Sequence, residues 1–496
     1  MLFNSYEFIF LFLPVAAALY FLIGRRSHDL AALWLALASL FFYGYWNPAY
    51  LPLLLVSVAV NFGAGRLIAA SAAEGPRRAV LIAGLAFDLG LLGYYKYAGF
   101  LVEAANGILG TSVPVPEIYL PLGISFFTFT QIAFLVDVYR RRAAEYRAVH
   151  YLLFVTFFPH LIAGPILHHK EIMPQFARPR TYRLSAANLA VGLSIFFIGL
   201  AKKTVLADGF SPFVAHVFDA AQRGTTPGLA EAWGGALGYT LQLYFDFSGY
   251  SDMAIGLARI LGIKMPLNFL SPYKAADIID FWRRWHMTLS RFLRDYLYIP
   301  LGGNRKGKPR RYLNLMITMA LGGLWHGAGW TFAAWGTLHG LYLVVNHAWR
   351  AVRDRLGIRA RSTAWTRSLA RLVTFLAVAV GWVVFRADTL ASASRVLAGM
   401  SGAAGMAGRL TPTHWTELHL RIVVGLLIVW LAPNTQQIMA RYTPSLPIDR
   451  ALLRAPLPGL VARWRLSVPW AYASAAVACA GILWLGRITE FLYFRF

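Results

Sequence analysis

Charge is what this sequence has least of for its length. Of its 496 residues, 14% are Asp, Glu, Lys or Arg, where a soluble globular chain carries about 25%. With 58% AVILMFWYC residues and a mean hydropathy of +0.53, that scarcity argues against a water-soluble multidomain enzyme. It also excludes a disordered chain, which needs low hydrophobicity. Cysteine is nearly missing. Cys479 stands alone, so no disulfide framework holds the fold. It has no basic neighbour close by in its apolar segment, which makes it a poor nucleophile. There is no Walker loop, no dinucleotide fingerprint, no internal repeat and no low-complexity linker. What remains is an all-α polytopic membrane protein, read as a single membrane-embedded unit over 1–496.

Acidic residues are the scarcer of the charged types: 22 Asp and Glu against 47 Lys and Arg leave a net charge of +25. In a soluble chain that balance would suggest nucleic acid. Here most basic residues sit in short loops between apolar stretches, as cytoplasmic loops do. They therefore read as topology signals and contacts to anionic lipid, with no nucleic acid. A spanning helix needs about 20 mostly apolar residues. Such stretches fall near 5–23, 30–46, 48–66, 79–101, 119–138, 186–206, 229–249, 312–330, 331–349, 372–387, 419–437 and 468–486. That gives 11–12 spans. The first lacks a basic start and a cleavage site, and reads as a retained span. The stretch 150–165 is short and holds Pro159, His160, Gly164 and Pro165, so it reads as broken or re-entrant. With that segment not crossing, Arg25-Arg26, Arg66–Arg78, Arg140–Arg142, His168–Arg183 and Arg350–Arg371 all fall inside. The C-terminus then falls outside, where Arg487 and Arg495 fit poorly.

Ionisable residues in membrane segments are costly and mark sites by default. His326 lies in Leu321-Gly-Gly-Leu-Trp-His-Gly-Ala-Gly329. Gly323 with Gly327, and Gly336 with Gly340, have the spacing that lets helices approach closely. A neutral imidazole held there suits a general base; a packed structural histidine is the alternative. In Asp280-Phe-Trp-Arg-Arg-Trp-His286, the spacing predicts a helix with Trp282, Trp285 and His286 on one face. Arg283, Ser290 and Arg294 share another face, and Arg291 with Asp295 forms an i, i+4 pair. This reads either as an interfacial Trp belt or as a polar wall for an anionic donor. Asp246 and Asp252 sit beside hydroxyls and read as hydrogen-bonded structural carboxylates. Ser251 lacks the nucleophile elbow. His168-His169 lacks further close ligands, so no metal site is expected. Asp88 and Lys96, in one span, could form a buried pair or a relay.

These residues stand in stretches that resemble the membrane-bound O-acyltransferase family, and within it most nearly the members that O-acetylate alginate. The likeness runs through nearly the whole chain. It is carried by Met1-Leu-Phe-Asn-Ser5, Leu120-Pro-Leu-Gly-Ile-Ser-Phe126, Phe158-Pro-His-Leu-Ile-Ala-Gly-Pro165, Gln242-Leu-Tyr-Phe-Asp-Phe-Ser-Gly-Tyr-Ser-Asp252 and Phe281-Trp-Arg-Arg-Trp-His286. It continues with Leu293-Arg-Asp-Tyr-Leu-Tyr298, Leu301-Gly-Gly-Asn-Arg-Lys306, Gly323-Leu-Trp-His-Gly-Ala328 and Gly381-Trp-Val-Val-Phe-Arg386.

The resemblance implies a bowl of helices around a thin central region with a tunnel, in a bacterial inner membrane. It implies acyl transfer from a cytoplasmic thioester donor such as acetyl-CoA, without a tightly bound cofactor. The acceptor would be an extracytoplasmic polysaccharide, alginate foremost, or a periplasmic esterase-like partner that relays acetyl. Peptidoglycan or another exopolysaccharide is the alternative acceptor. The family's two histidines map onto His286 and His326, with His326 catalytic. Trp285, Trp325, Arg283 and Asp246 are candidates for the tunnel wall. The rival class is a polysaccharide or lipid-linked sugar transporter, which would show internal pseudo-symmetry and paired broken helices. A third is a structural scaffold for a secretion complex, in which both histidines would be silent.

Overall fold

The structure is a computed structural model, described here for residues 1–142, 147–357, 363–406, 412–447, 463–486 and 492. Each of the predicted apolar segments overlaps a helix, although 119–138 is helical only from Ile124 and 419–437 only to Leu431 before a break. The main ones are α1 Phe8–Gly24, α2 His28–Gly44, α3 Pro48–Ala70, α4 Glu74–Leu109, α5 Ile124–Tyr139, α6 Ala148–Thr156 and α7 Ala186–Gln222. They continue as α8 Leu229–Ile260, α9 Gly307–His326, α10 Trp330–Arg355, α11 Ala364–Arg386, α12 Pro412–Leu431 and α13 Val468–Leu483. Among the described residues there is no strand. Four helices, α3, α4, α7 and α11, are long and apolar enough to cross a membrane by length and composition, and α1, α2, α5 and α13 are apolar but shorter.

The apolar excess faces outward as well as inward. Phe10, Leu22, Phe41, Leu67, Ile108, Trp365 and Val373 are all exposed. A soluble monomer rarely shows so much apolar surface, but lipid covers it without cost. Inside, α8 is the spine. Nearly all of its 32 residues are buried. One half belongs to a core with Phe210, Val217, Trp282, Trp335 and Trp382. The other half, from Tyr250 onward, belongs to a core with Phe3, Phe42, Phe158 and Trp325. Small residues let α7 lie directly on this spine: a Cβ on Gly192 would come 2.7 Å from the Gly256 carbonyl oxygen. That is closer than side chains pack, and small-residue contacts of this kind are how membrane helices associate.

The segment 150–165 is broken as its prolines predict. α6 ends at Thr156, Phe157 has ψ 106°, and a single turn Phe158–Leu161 follows. Contacts join α1 and α2 to the segments around Thr181 and Arg147, and α4 to the end of α5. Arg147 pairs with Asp29 at 2.9 Å, Arg77 donates to the Tyr139 carbonyl at 2.5 Å, and Tyr20 donates to Thr181 at 3.2 Å. Arg487 and Arg495, which fitted the scheme poorly, lie outside the described residues.

Three local expectations are corrected. The helix predicted through Asp280–His286 stops at Trp282. Arg291 pairs with Glu171 at 2.6 and 2.8 Å, while Asp295 is taken by Arg294 at 2.7 Å. α9 ends at His326, so Gly327 lies beyond the helix, where a Cβ would strike the Phe332 ring. The glycines that do touch are Gly323 and Gly336, across the α9–α10 hairpin: a Cβ on Gly323 would lie 2.9 Å from the Gly336 Cα.

Candidate active site

His326 is the last residue of α9, because Gly327 turns extended at φ −157°. The final four carbonyls of a helix have no partner within it, and here neighbours supply donors. Tyr97 donates to the Leu324 carbonyl at 2.9 Å. The Lys96 amino group reaches the His326 carbonyl at 3.2 Å and also bonds the Trp325 carbonyl. Both residues come from Gly93–Tyr97, a π-helical turn inside α4. Such turns cluster at functional sites. The question of an Asp88–Lys96 pair is thereby answered: Asp88 accepts from Asn61 at 2.7 Å, and Lys96 serves α9.

His286 sits between two short helices, Ile278–Trp282 and Met287–Leu293, with φ 41° and ψ 52°. That left-handed conformation costs a non-glycine residue about 1–2 kcal/mol and needs support. Asn268 provides it. Its Oδ1 lies 3.1 Å from His286 Nδ1 and accepts from the Thr288 hydroxyl at 3.0 Å, while its main-chain carbonyl accepts from Met287 N–H at 2.9 Å. An amide oxygen can only accept, so Nδ1 carries the proton and Nε2 the lone pair. That Nε2 is buried and has no hydrogen-bond partner among the described residues.

The two imidazoles face each other with ring centroids 6.0 Å apart and planes at 62°. Neither side chain is more than 5% exposed. Trp325 closes one side, 5.9 Å from His286 and stacked on Phe129 at 5.3 Å. Trp335 and Phe385 close the other, each 5.3 Å from His326. Beyond Trp335 lies a third histidine, His339, fully buried, with neither ring nitrogen partnered among the described residues. Trp285 packs on Trp382 and Phe269, 4.8 and 4.9 Å away. The site therefore sits where the two cores meet.

A cavity of about 490 Å³ lies next to this cage through Trp282, 5.9 Å from Trp335, and Met287, the residue after His286; Arg283, Ser290, Arg294 and His347 are also among its walls. The break after Trp282 does not separate Arg283, Ser290 and Arg294; all three still face one space. Asp246 is placed elsewhere: Lys203 binds it at 2.8 Å and Asp208 at 2.6 Å. Asp252 is bound by Lys202 at 2.5 Å and by the Thr435 hydroxyl at 2.6 Å. His168 Nδ1 meets the Tyr296 hydroxyl at 3.2 Å, and among the described residues no group of His, Cys, Asp and Glu is arranged to hold a metal. Asn268, Tyr97 and His339 carried no sequence signal that set them apart. Lys96 was visible as a buried charge, but its partner was not.

The architecture and this centre define a polytopic α-helical membrane protein with a buried histidine pair. The chain belongs to the membrane-bound O-acyltransferase family, whose model matches residues 113–380, and it is an O-acyltransferase. It is 45% identical over 434 residues to a peptidoglycan O-acetyltransferase of Helicobacter pylori, covering 82% of this chain and 81% of that one. It is 44% identical over 406 residues to a probable alginate O-acetylase of Pseudomonas aeruginosa, covering 81% and 75%. A teichoic acid D-alanyltransferase of Streptococcus thermophilus is 30% identical over 284 residues, covering 53% and 68%.

Proposed function

We propose that this protein moves acetyl from a cytoplasmic thioester, acetyl-CoA by preference, to hydroxyls of a polysaccharide outside the bacterial inner membrane, with residues 1–496 acting as one unit. The observation that carries the proposal is the pair of buried imidazoles 6.0 Å apart, beside a cavity walled by Arg283 and Arg294. Guanidinium groups suit the diphosphate of a coenzyme A donor, since their fork matches phosphate oxygens.

In the proposed reaction His326 takes the proton of the acceptor hydroxyl as its oxygen attacks the thioester carbon. The carbon–oxygen bond forms, the carbon–sulfur bond breaks, and the proton passes to the departing thiolate. Acid–base assistance of this kind contributes about 10²–10⁴ in rate. His286, held through Nδ1, presents Nε2 to orient the acceptor or donor. The cage of Trp325, Trp335 and Phe385 keeps out water that would hydrolyse the acyl group. Trp285 and Arg283 belong to the same wall. Asp246, already bound by Lys203, supports the frame.

For the acceptor, alginate is the first reading. The relative named a peptidoglycan O-acetyltransferase, at 45% identity, favours peptidoglycan as the second. Either hydroxyl can receive acetyl directly or through a periplasmic esterase-like partner. The test is acetate analysis of purified surface polysaccharide and of peptidoglycan from a deletion strain, complemented with wild type or with His326→Ala. Acetate restored in one polymer by wild type alone supports the proposal and names the acceptor. Acetate unchanged by deletion in both would sink it.

A further inference from the structure

We infer that Lys96 is a positioning residue for the transfer reaction, closing the helix that ends in His326. The inference rests on His326 as the base proposed above. Lys96 Nζ lies within hydrogen-bonding reach of three oxygens: the Trp325 and His326 carbonyls and, at 3.4 Å, Ser125 Oγ. Three donors of an ammonium thus meet three acceptors. It also lies 5.9 Å from the centre of the Trp325 ring, within the range of cation–π attraction. Lys96 also lines a cavity of about 150 Å³ together with Leu120–Phe126, Trp46 and Ile162.

A bundle tie alone does not call for a lysine. Tyr97, one residue on, satisfies the Leu324 carbonyl with a neutral hydroxyl. An ammonium in a membrane segment costs about 2.5–3.5 kcal/mol on insertion scales. What the charge adds is attraction to the negative end of the α9 dipole, at the two residues that carry the base and its ring neighbour. Without it, the last turn of α9 has two unsatisfied carbonyls and is free to fray. The His326 ring then loses its fixed distance from His286. A misplacement of about 1 Å at a reacting group costs roughly 10²-fold in rate.

The test uses full-length protein in detergent with Cys479, the only cysteine, replaced by Ser. In that background Lys96→Cys is assayed for acetyl-CoA turnover before and after alkylation with 2-bromoethylamine, which rebuilds an ammonium at lysine length. We expect turnover to fall at least about tenfold with donor KM within twofold, and alkylation to restore most of it. Completion of alkylation is read by mass spectrometry. Lys96→Cys turning over within twofold of its parent would overturn the inference. So would a loss that complete alkylation fails to reverse while the thermal midpoint returns to the parent value. His326→Ala is run in parallel. If it stays active, the proposed base falls, whatever Lys96 does. If it is inactive while Lys96→Cys is normal, only the role of Lys96 falls.

Discussion

Asn268 grips His286 through its side chain and the residue after it through its main chain. The side-chain oxygen meets Nδ1 at 3.1 Å, and the carbonyl accepts from Met287 N–H at 2.9 Å. One residue thereby fixes both the left-handed backbone of His286 and the tautomer of its ring. Asn268→Leu keeps the number and branching of side-chain heavy atoms and removes the acceptor shared by His286 and Thr288. Leaving such buried donors unpaired costs about 1–3 kcal/mol. The thermal midpoint in detergent should fall and turnover should drop about tenfold or more. Unchanged turnover would mean that the His286 tautomer is irrelevant.

His326→Ala should lose at least about 100-fold in turnover, the lower end of what a general base supplies. Donor affinity, measured by calorimetry on the purified variant, should stay within a few fold, because the arginine-lined cavity is untouched. Tight coupling of donor binding to this substitution would argue that His326 holds the donor instead.

Arg283→Ala and Arg294→Ala remove cations from that cavity. Each hydrogen bond to a charged group is worth about 1.5–3 kcal/mol, so donor KM should rise roughly tenfold or more while kcat changes little. The wild-type KM should also climb with salt, since exposed charges are screened. A fall in kcat at constant KM would place the donor elsewhere.

Gly323→Ala puts a methyl where the Gly336 Cα lies 2.9 Å away. Overpacking typically costs about 1–3 kcal/mol, so the α9–α10 hairpin should open and the thermal midpoint fall with activity. Gly63→Ala is the control: a Cβ there meets nothing within 4 Å among the described residues, and it should be neutral or slightly stabilising. Equal behaviour of the two would remove the argument for close approach.

The class and the helices are legible in the sequence. Apolar runs must be helical in lipid because backbone groups there have no water to bond. Pro159 and the residues around it marked the broken segment. Arg283, Ser290 and Arg294, grouped by spacing on one helix face, line one cavity although that helix stops at Trp282.

Only tertiary structure decided what those residues touch. Periodicity describes a single helix, so it could not show that His286 lies in a left-handed turn propped by a residue 18 positions earlier. It paired Arg291 with Asp295 because they are near in sequence, whereas Glu171, 120 residues away, offers two oxygens in the right plane. It left Asp88 and Lys96 as possible partners. Packing sent one to Asn61 and the other to the end of α9, some 230 residues on. A buried charge announces itself in sequence by its cost, but the fold alone brings up the atom that offsets that cost.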